Sequence, residues 1–207
     1  MTRGRPLWDR TDYLFLQAAI VFAALIVTAV SVALPLWDWA RGNPLFGFIE
    51  TPAVDRQLPA SLAAAEPGAS LTWDGVIQVE VADPSAGLRL VNLIPGLLLS
   101  VAVIVVAAIL YRLVVAAKAG RPFVPAAVRD LRIVAVVIFA ASVLIPVAGA
   151  YAGSVLHTAA VADDVVFSVS ASFGLNLAWI GLAMLVFVLA EVFRIGQRLA
   201  DDVDGLV

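Results

Sequence analysis

The sequence predicts an all-α integral membrane protein of four transmembrane helices, with a small β-containing segment outside the membrane. Its 207 residues are 62% hydrophobic and only 14% charged, and the mean hydropathy is +1.00. A soluble domain is typically ~45–50% apolar and ~25% charged. The apolar excess lies in four blocks, about residues 13–36, 93–116, 131–152 and 169–193. Each block is long enough to cross ~30 Å of hydrocarbon as a helix, whereas open strands would leave backbone groups unpaired in lipid.

The first block shares two features with a cleaved signal peptide. Basic residues precede it, at Arg3, Arg5 and Arg10, and the small-x-small sequence Ser31–Ala33 lies near its end. Its apolar run is nevertheless much longer than the ~7–15 residues of a signal-peptide core. We therefore expect this block to be kept as the first transmembrane helix.

Basic residues are distributed unevenly around the four blocks. Ten of the 13 Lys and Arg residues lie in the N-terminus, in or beside the loop of residues 117–130, and in the tail of residues 194–207. The segment of residues 37–92 carries three, and the loop between helices 3 and 4 carries none. The positive-inside rule therefore predicts that both termini lie in the cytoplasm and that residues 37–92 lie on the outer side.

The outer segment is expected to combine loops with a little β-structure. Pro, Gly and Asn residues punctuate residues 41–68 and predict loops and short turns there. Val76–Val81 has the β-branched, partly alternating pattern of a strand, and Leu88–Val91 is predicted as a second short strand. A tight turn at Asp74-Gly75 would mix polar and apolar residues on both faces, so a bulge or a longer loop is the alternative. A structural lid and a sensor or ligand cap are both compatible with this segment.

Residues able to carry catalysis or hold a metal are scarce. The chain has no Cys and one His, and it contains no P-loop, GxGxxG, GxSxG or HExxH motif. His157, predicted in the loop between helices 3 and 4 with Asp163 and Asp164, is a weak metal-site candidate. A single imidazole in a solvated loop is more often plain surface, and no second His completes a zinc site. We therefore expect a protein that is not an enzyme, with no catalytic residue and no cofactor.

Small residues mark the places where helices could approach each other closely. Gly149 and Gly153 form a GxxxG at the outer end of helix 3, a spacing that suits contact within one chain or between two copies. Helix 4 offers further small or polar packing positions, at Gly174, Asn176, Ala178 and Gly181. The predicted partners of the helices are therefore the lipid bilayer and a second copy in a homo-oligomer.

Two motifs lie at the cytoplasmic ends of the helices. The first is Gly120-Arg121-Pro122-Phe123 followed by Val128-Arg129-Asp130-Leu131-Arg132, and the second runs from Ala190-Glu191-Val192-Phe193-Arg194 to Asp202–Val207. Both resemble the YoaS-like family of bacterial four-helix membrane proteins, although family members often have an Asn where this chain has Ala126 or Ala127. The resemblance implies an inner-membrane protein of unassigned biochemical function, often encoded beside a Cro/CI-type helix-turn-helix regulator.

The resemblance implies a regulatory or scaffolding protein that partners a cytosolic transcription regulator without touching nucleic acid itself. The scarcity of catalytic residues predicts that this protein is not an enzyme. Its docking surface is expected to consist of charged and aromatic residues at the cytoplasmic helix ends: Arg121, Phe123, Arg129, Arg132, Glu191, Arg194 and Arg198. The alternative is an oligomeric pore or small-solute transporter. A cavity lined by Ser170, Ser172 and Asn176 would favour that alternative, and a sealed apolar bundle would favour the regulatory protein.

Overall fold

The computed structural model describes residues 10–49, 69–73, 77–119, 125–160 and 177–204. Helix α1 (Arg10–Thr28) continues through one π-helical turn (Ala29–Ala33) into α2 (Leu34–Ala40). Three short strands follow, namely β1 (Leu45–Ile49), β2 (Ala69–Trp73) and β3 (Ile77–Val81). The chain then forms three long helices, α3 (Ala86–Lys118), α4 (Pro125–Ala160) and α5 (Leu177–Asp204).

Four helical segments are long and apolar enough to cross a membrane. They are Thr11–Ala40, Ala86–Lys118, Ala126–Leu156 and Leu177–Arg198, with mean hydropathies of 2.5, 2.9, 2.6 and 2.0. The charge-free stretches between Asp12 and Asp38 and between Arg89 and Arg112 rise roughly 35–39 Å at 1.5 Å per residue. That length matches a hydrocarbon core of ~30 Å with a short margin at each side. The predicted fold class is therefore confirmed, and the chain is a multi-pass membrane protein.

Helix α3 begins well before the predicted block, and the predicted strand Leu88–Val91 is wrong. Ser85 caps the helix, since its hydroxyl accepts from Leu88 N at 3.2 Å and its carbonyl accepts from Arg89 N at 3.1 Å. A Ser at this position satisfies backbone donors that the first turn leaves unpaired. The Pro84-Ser85 pair thus precedes a helix and not a strand.

The helices also extend into the predicted loop and tail. Helix α4 starts at Pro125, which suits the first turn because proline has no N–H to leave unpaired. Helix α5 runs to Asp204. Residues 125–130 and 194–204 are therefore helical, and charged residues placed there have fixed positions relative to the spans.

The strands form one antiparallel sheet in the order β1-β3-β2. Trp73 pairs with Ile77, so three residues, 74–76, separate the strands in place of the tight two-residue turn. This is the longer loop that the sequence offers as an alternative. It shifts the pairing of β2 with β3 by one residue relative to the tight turn. Leu71 then lies opposite Val79 and Thr72 opposite Gln78, so residues of like polarity are paired.

Strand β1 falls within the region that was predicted as loops and turns. It pairs with β3 from Leu45 opposite Val81 to Ile49 opposite Ile77. The apolar sequence Leu-Phe-Gly-Phe-Ile suits a strand, but the nearby Gly, Asn and Pro residues favour loops and turns.

The chain divides into two compact units, which we call the ion-pair unit and the sheet unit. The ion-pair unit comprises residues 1–27, 100–142 and 176–207, and the sheet unit comprises residues 28–99 and 143–175. The ion-pair unit buries one face of α4 at Ala127, Leu131, Val134 and Ala135, and the small residues Ala183 and Ala190 of α5. Many large apolar side chains are exposed, among them Phe15 at 77% and Leu185 at 63%, as helices surrounded by lipid require.

The sheet unit contains one close backbone approach, between the first span and α3. A Cβ on Gly96 would overlap the carbonyl oxygen of Ser31, so only glycine fits there. Ser31 lies in the π-helical turn, where Leu34 N donates to Ala29 O. Pro95 stands beside Gly96 inside α3 and lacks the N–H of a normal helix position. A π-helical turn on one helix and a proline on the other thus occur where the two helices meet.

Candidate functional site

The most buried charge of the described residues lies near the start of α4, on Asp130. Its side chain is 5% exposed, and its Oδ2 lies 3.2 Å from Nη2 of Arg112 on α3. Asp130 is three residues after buried Ala127 and four before buried Val134, a spacing that places all three on one helical face. The pair connects the end of α3 to the start of α4, because Arg112 reaches the carboxylate while its own side chain stays 59% exposed.

Arg129 points away from this buried pair. Its Nε lies 4.0 Å from Oδ1 of Asp130, at the limit of an ion pair, and its side chain is 71% exposed. Since Arg112 holds the same carboxylate at 3.2 Å, most of the Arg129 charge is available to another molecule.

A second, exposed charge group joins α4 to α5 through Glu191. Arg194 Nε donates to both carboxylate oxygens of Glu191 at 2.9 Å, and Arg194 Nη2 makes a further bond to Oε1. Arg132 Nη2 approaches Oε2 from α4 at 3.8 Å. The Glu191 side chain is 45% exposed, so water and salt weaken these pairs and they contribute little to stability.

Together these residues form a positive surface, which we call the arginine surface. It consists of Arg112, Arg129, Arg132, Arg194 and Arg198 with the carboxylates Asp130 and Glu191. Of the side chains that the structure describes here, five are guanidinium groups and two are carboxylates, which leaves a surplus of positive charge among them. Three aspartates, Asp201, Asp202 and Asp204, follow Arg198 on α5. Arginine presents several N–H donors in a planar fork that matches carboxylate and phosphate groups. The surface is therefore suited to holding an acidic group.

The structure brings three of the seven predicted docking residues into contact, namely Arg132, Glu191 and Arg194. Arg198 lies within electrostatic range of Glu191, and Arg129 approaches Asp130 instead. The other two, Arg121 and Phe123, lie outside the described residues. Arg112 and Asp130 were not among the predicted site residues. The apolar positions Ala127, Leu131 and Val134 define one face of the helix. Asp130 falls on that face, so this pattern could have identified it as a buried carboxylate.

Of the three predicted metal ligands, the structure describes the position of His157 alone. His157 lies within α4 and not in a loop, because this helix continues to Ala160. Asp163 and Asp164 lie outside the described residues. Within the ranges that the structure describes, no group of three or more His, Cys, Asp and Glu residues could hold a metal ion.

The predicted packing glycines are open in the described part of the chain. A Cβ on Gly149, Gly153 or Gly181 would meet no described atom within 4 Å, and Ala178 is exposed. Gly174 and Asn176 lie outside the described residues, as do the Ser170 and Ser172 of the pore alternative. Contact of the open glycines with a second copy stays a prediction, while the close approach that the structure does contain is at Gly96.

Comparison with known proteins places the chain in a family whose function is unknown. A family model described as "Protein of unknown function (DUF2975)" matches residues 75–207. This range includes α3, α4, α5 and every residue of the arginine surface. No curated protein and no solved structure matches the chain. The YoaS resemblance and the neighbouring regulator stay predictions. The chain, with its four membrane-spanning helices, belongs to the DUF2975 family of proteins of unknown function.

Proposed function

We propose that this protein is a non-enzymatic regulatory or scaffolding protein of the bacterial inner membrane, and that its arginine surface holds a cytosolic transcription regulator. The observation that carries the proposal is the exposure of arginines beyond what the internal carboxylates engage. Arg129 and Arg132 have side chains 71% and 53% exposed, and their nearest carboxylates are 4.0 and 3.8 Å away.

The cytoplasmic position of this surface follows from the distribution of basic residues. Ten of the 13 Lys and Arg residues belong to the N-terminus, the α3–α4 connection with its flanking helix ends, and the C-terminal tail. Retention of basic residues on the cytoplasmic side orients membrane proteins, so the arginine surface faces the cytosol. An integral partner of a cytosolic regulator requires this orientation.

The surface also indicates the chemistry of its partner. A positive surplus attracts an acidic patch on the regulator, because complementary charge speeds association and excludes wrong partners. Binding through such a surface weakens as salt concentration rises. The regulator would keep its own DNA-binding face free, and the membrane protein would make no contact with nucleic acid.

The test removes the two most available arginines from the full chain. The variants Arg129→Ala with Arg132→Ala and Arg129→Glu with Arg132→Glu are purified from native membranes, and the co-purifying cytosolic proteins are quantified by mass spectrometry. Both double variants should lose the regulator, and charge reversal should lose more of it. Melting temperature should stay near that of the wild type, because exposed ion pairs contribute little to stability.

Arg41→Ala is the matched control, because Arg41 follows the first span on the side that the charge distribution predicts to face outward. Its Cζ lies 4.6 Å from the centroid of the Trp37 ring. This variant should retain every co-purifying protein. If both double variants also retain all of them at wild-type levels, the arginine surface is structural and the docking proposal is wrong.

A further inference from the structure

A small cavity lies in the sheet unit, between the end of α2, strand β1 and the first turns of α3. Its volume is about 200 Å³, and its lining includes Asp38, Trp39, Phe46, Arg89, Asn92 and Leu93. Sites for drug-sized ligands measure ~300–1,000 Å³. The cavity therefore suits a small polar group and not a large organic ligand.

Opposite charges line this cavity without neutralising each other directly. Arg89 Nη2 donates to the backbone oxygen of Asn43 at 2.7 Å, and the Asn43 side-chain amide donates to Asp38 Oδ1 at 2.9 Å. Among the described residues Asp38 and Arg89 form no ion pair with each other. Asn43 thus holds a guanidinium and a carboxylate in place on the same cavity.

The cavity lies where the membrane meets water. Asp38 and Arg89 are the charged residues that end the charge-free stretches of the first span and of α3 on this side. Trp37 and Trp39 stand at the same level, and tryptophans favour the interfacial region. The remaining wall is apolar, with Leu36, Phe46 and Leu93. A ligand here can place a polar group in the cavity and an apolar chain in the bilayer.

We propose that this cavity binds the headgroup of a phospholipid that carries a primary ammonium beside its phosphate, the chemistry of phosphatidylethanolamine. Arg89 takes the phosphate, since guanidinium and phosphate form strong charge-assisted hydrogen bonds. Asp38 takes the ammonium. A phosphatidylglycerol headgroup has no cation for Asp38, and the quaternary ammonium of phosphatidylcholine has no N–H to donate to it. The site therefore selects the ethanolamine headgroup over both.

The experiment measures lipid binding to the full chain in detergent by native mass spectrometry. Phosphatidylethanolamine, phosphatidylglycerol and phosphatidylcholine are titrated with matched acyl chains, and soluble glycerophosphoethanolamine is titrated separately. Phosphatidylethanolamine should bind at least about tenfold more tightly than the other two lipids, a factor that corresponds to about 1.4 kcal/mol. Glycerophosphoethanolamine should bind more weakly than the lipid, because it lacks the acyl chains. Equal binding of lipid and soluble headgroup would overturn the lipid as the ligand.

Three variants separate the charges from the shape of the cavity. Asp38→Asn keeps an oxygen for Asn43 and should remove the preference for ethanolamine over glycerol. Arg89→Gln should weaken binding of every phospholipid. Asn92→Trp fills the cavity rim and leaves the Arg89–Asn43 bond in place, so it should block binding even if Arg89→Gln fails to fold.

Arg41→Gln, at the same membrane face but outside the cavity lining, should bind as the wild type does. Equal binding of the three lipids, or ethanolamine selectivity unchanged in both Asp38→Asn and Asn92→Trp, would overturn the proposal.

Discussion

In the part of the chain that the structure describes, each of the two units contains a closed contact and an open surface, and these place different requirements on the sequence. In the ion-pair unit the closed contact is Asp130 with Arg112, and the open surface surrounds Glu191. In the sheet unit the closed contact is Gly96 against Ser31, and the open surface carries Gly149 and Gly153. The same residue types occur in both classes, so burial and not residue type distinguishes a structural contact from a surface available to partners.

The difference between the two carboxylates is the clearest case. Asp130 is 5% exposed and Glu191 is 45% exposed, although both lie on helices beside arginines. A buried charge must keep its partner, because losing that partner leaves it desolvated and unpaired. An exposed charge loses little, because water replaces the partner. The closed contacts should therefore control stability, and the open surfaces should control association.

The largest expected effect is on the buried pair. Arg112→Met leaves the Asp130 carboxylate buried with only Arg129 nearby, at 4.0 Å, and should lower the free energy of unfolding by about 3 kcal/mol. Unfolding by sodium dodecyl sulfate in mixed micelles, followed by tryptophan fluorescence, measures the change. Adding Asp130→Leu to Arg112→Met should restore most of the lost free energy of unfolding, since an apolar pair of similar size then replaces the ion pair.

Arg129→Met is the matched control for this experiment. It removes an arginine beside the same carboxylate, but one whose side chain is 71% exposed, so stability should change little. If Arg112→Met is as harmless as Arg129→Met, the buried pair does not hold α3 to α4 and the distinction between the two contacts fails.

A smaller effect is expected at the glycine contact of the sheet unit. Gly96→Ala places a methyl group onto the Ser31 carbonyl, so the helix backbones must separate. Overpacking of this kind costs about 1–3 kcal/mol, which the same unfolding experiment would detect. A Gly96→Ala variant as stable as the wild type would mean that these backbones do not meet.

The smallest effect on stability is expected at the open glycines. Gly149→Ala and Gly153→Ala meet no described atom within 4 Å and should change the free energy of unfolding by no more than about 1 kcal/mol each, through helix propensity. The leucine variants at both positions test the predicted homo-oligomer. They should abolish cross-linking between copies while the monomer stays folded, and unchanged cross-linking would exclude this surface as the interface.

The sequence predicted the features that depend on composition and failed where tertiary contacts decide. Four spans follow from hydropathy alone. Strand β1 could not be recognised beside Gly42, Asn43 and Pro44 because its pairing with β3 is a long-range contact. Leu88–Val91 has a strand-like composition, yet the Ser85 cap and the continuous helix after it determine its conformation.

The candidate site was predicted in part for the same reason. Exposed arginines at helix ends are visible in the sequence as runs of charge, so Arg129, Arg132 and Arg194 could be named as docking candidates. Arg112 and Asp130 are 18 positions apart in the chain, and their pairing requires the antiparallel arrangement of α3 and α4. The spacing of GxxxG pointed to Gly149 and Gly153, but Gly96 makes the close approach because a π-helical turn on another helix reaches it.

The central claim is that the arginine surface faces the cytosol, and single cysteines test it most directly. The chain has no native cysteine, so each introduced thiol is the only one present. Asp83→Cys lies before the Ser85 cap of α3, and Ala119→Cys follows the other end of the same helix. A membrane-impermeant maleimide should label Asp83→Cys in intact cells and Ala119→Cys only after the membrane is opened. Labelling of Ala119→Cys but not Asp83→Cys in intact cells would place the arginine surface outside and contradict the proposed function.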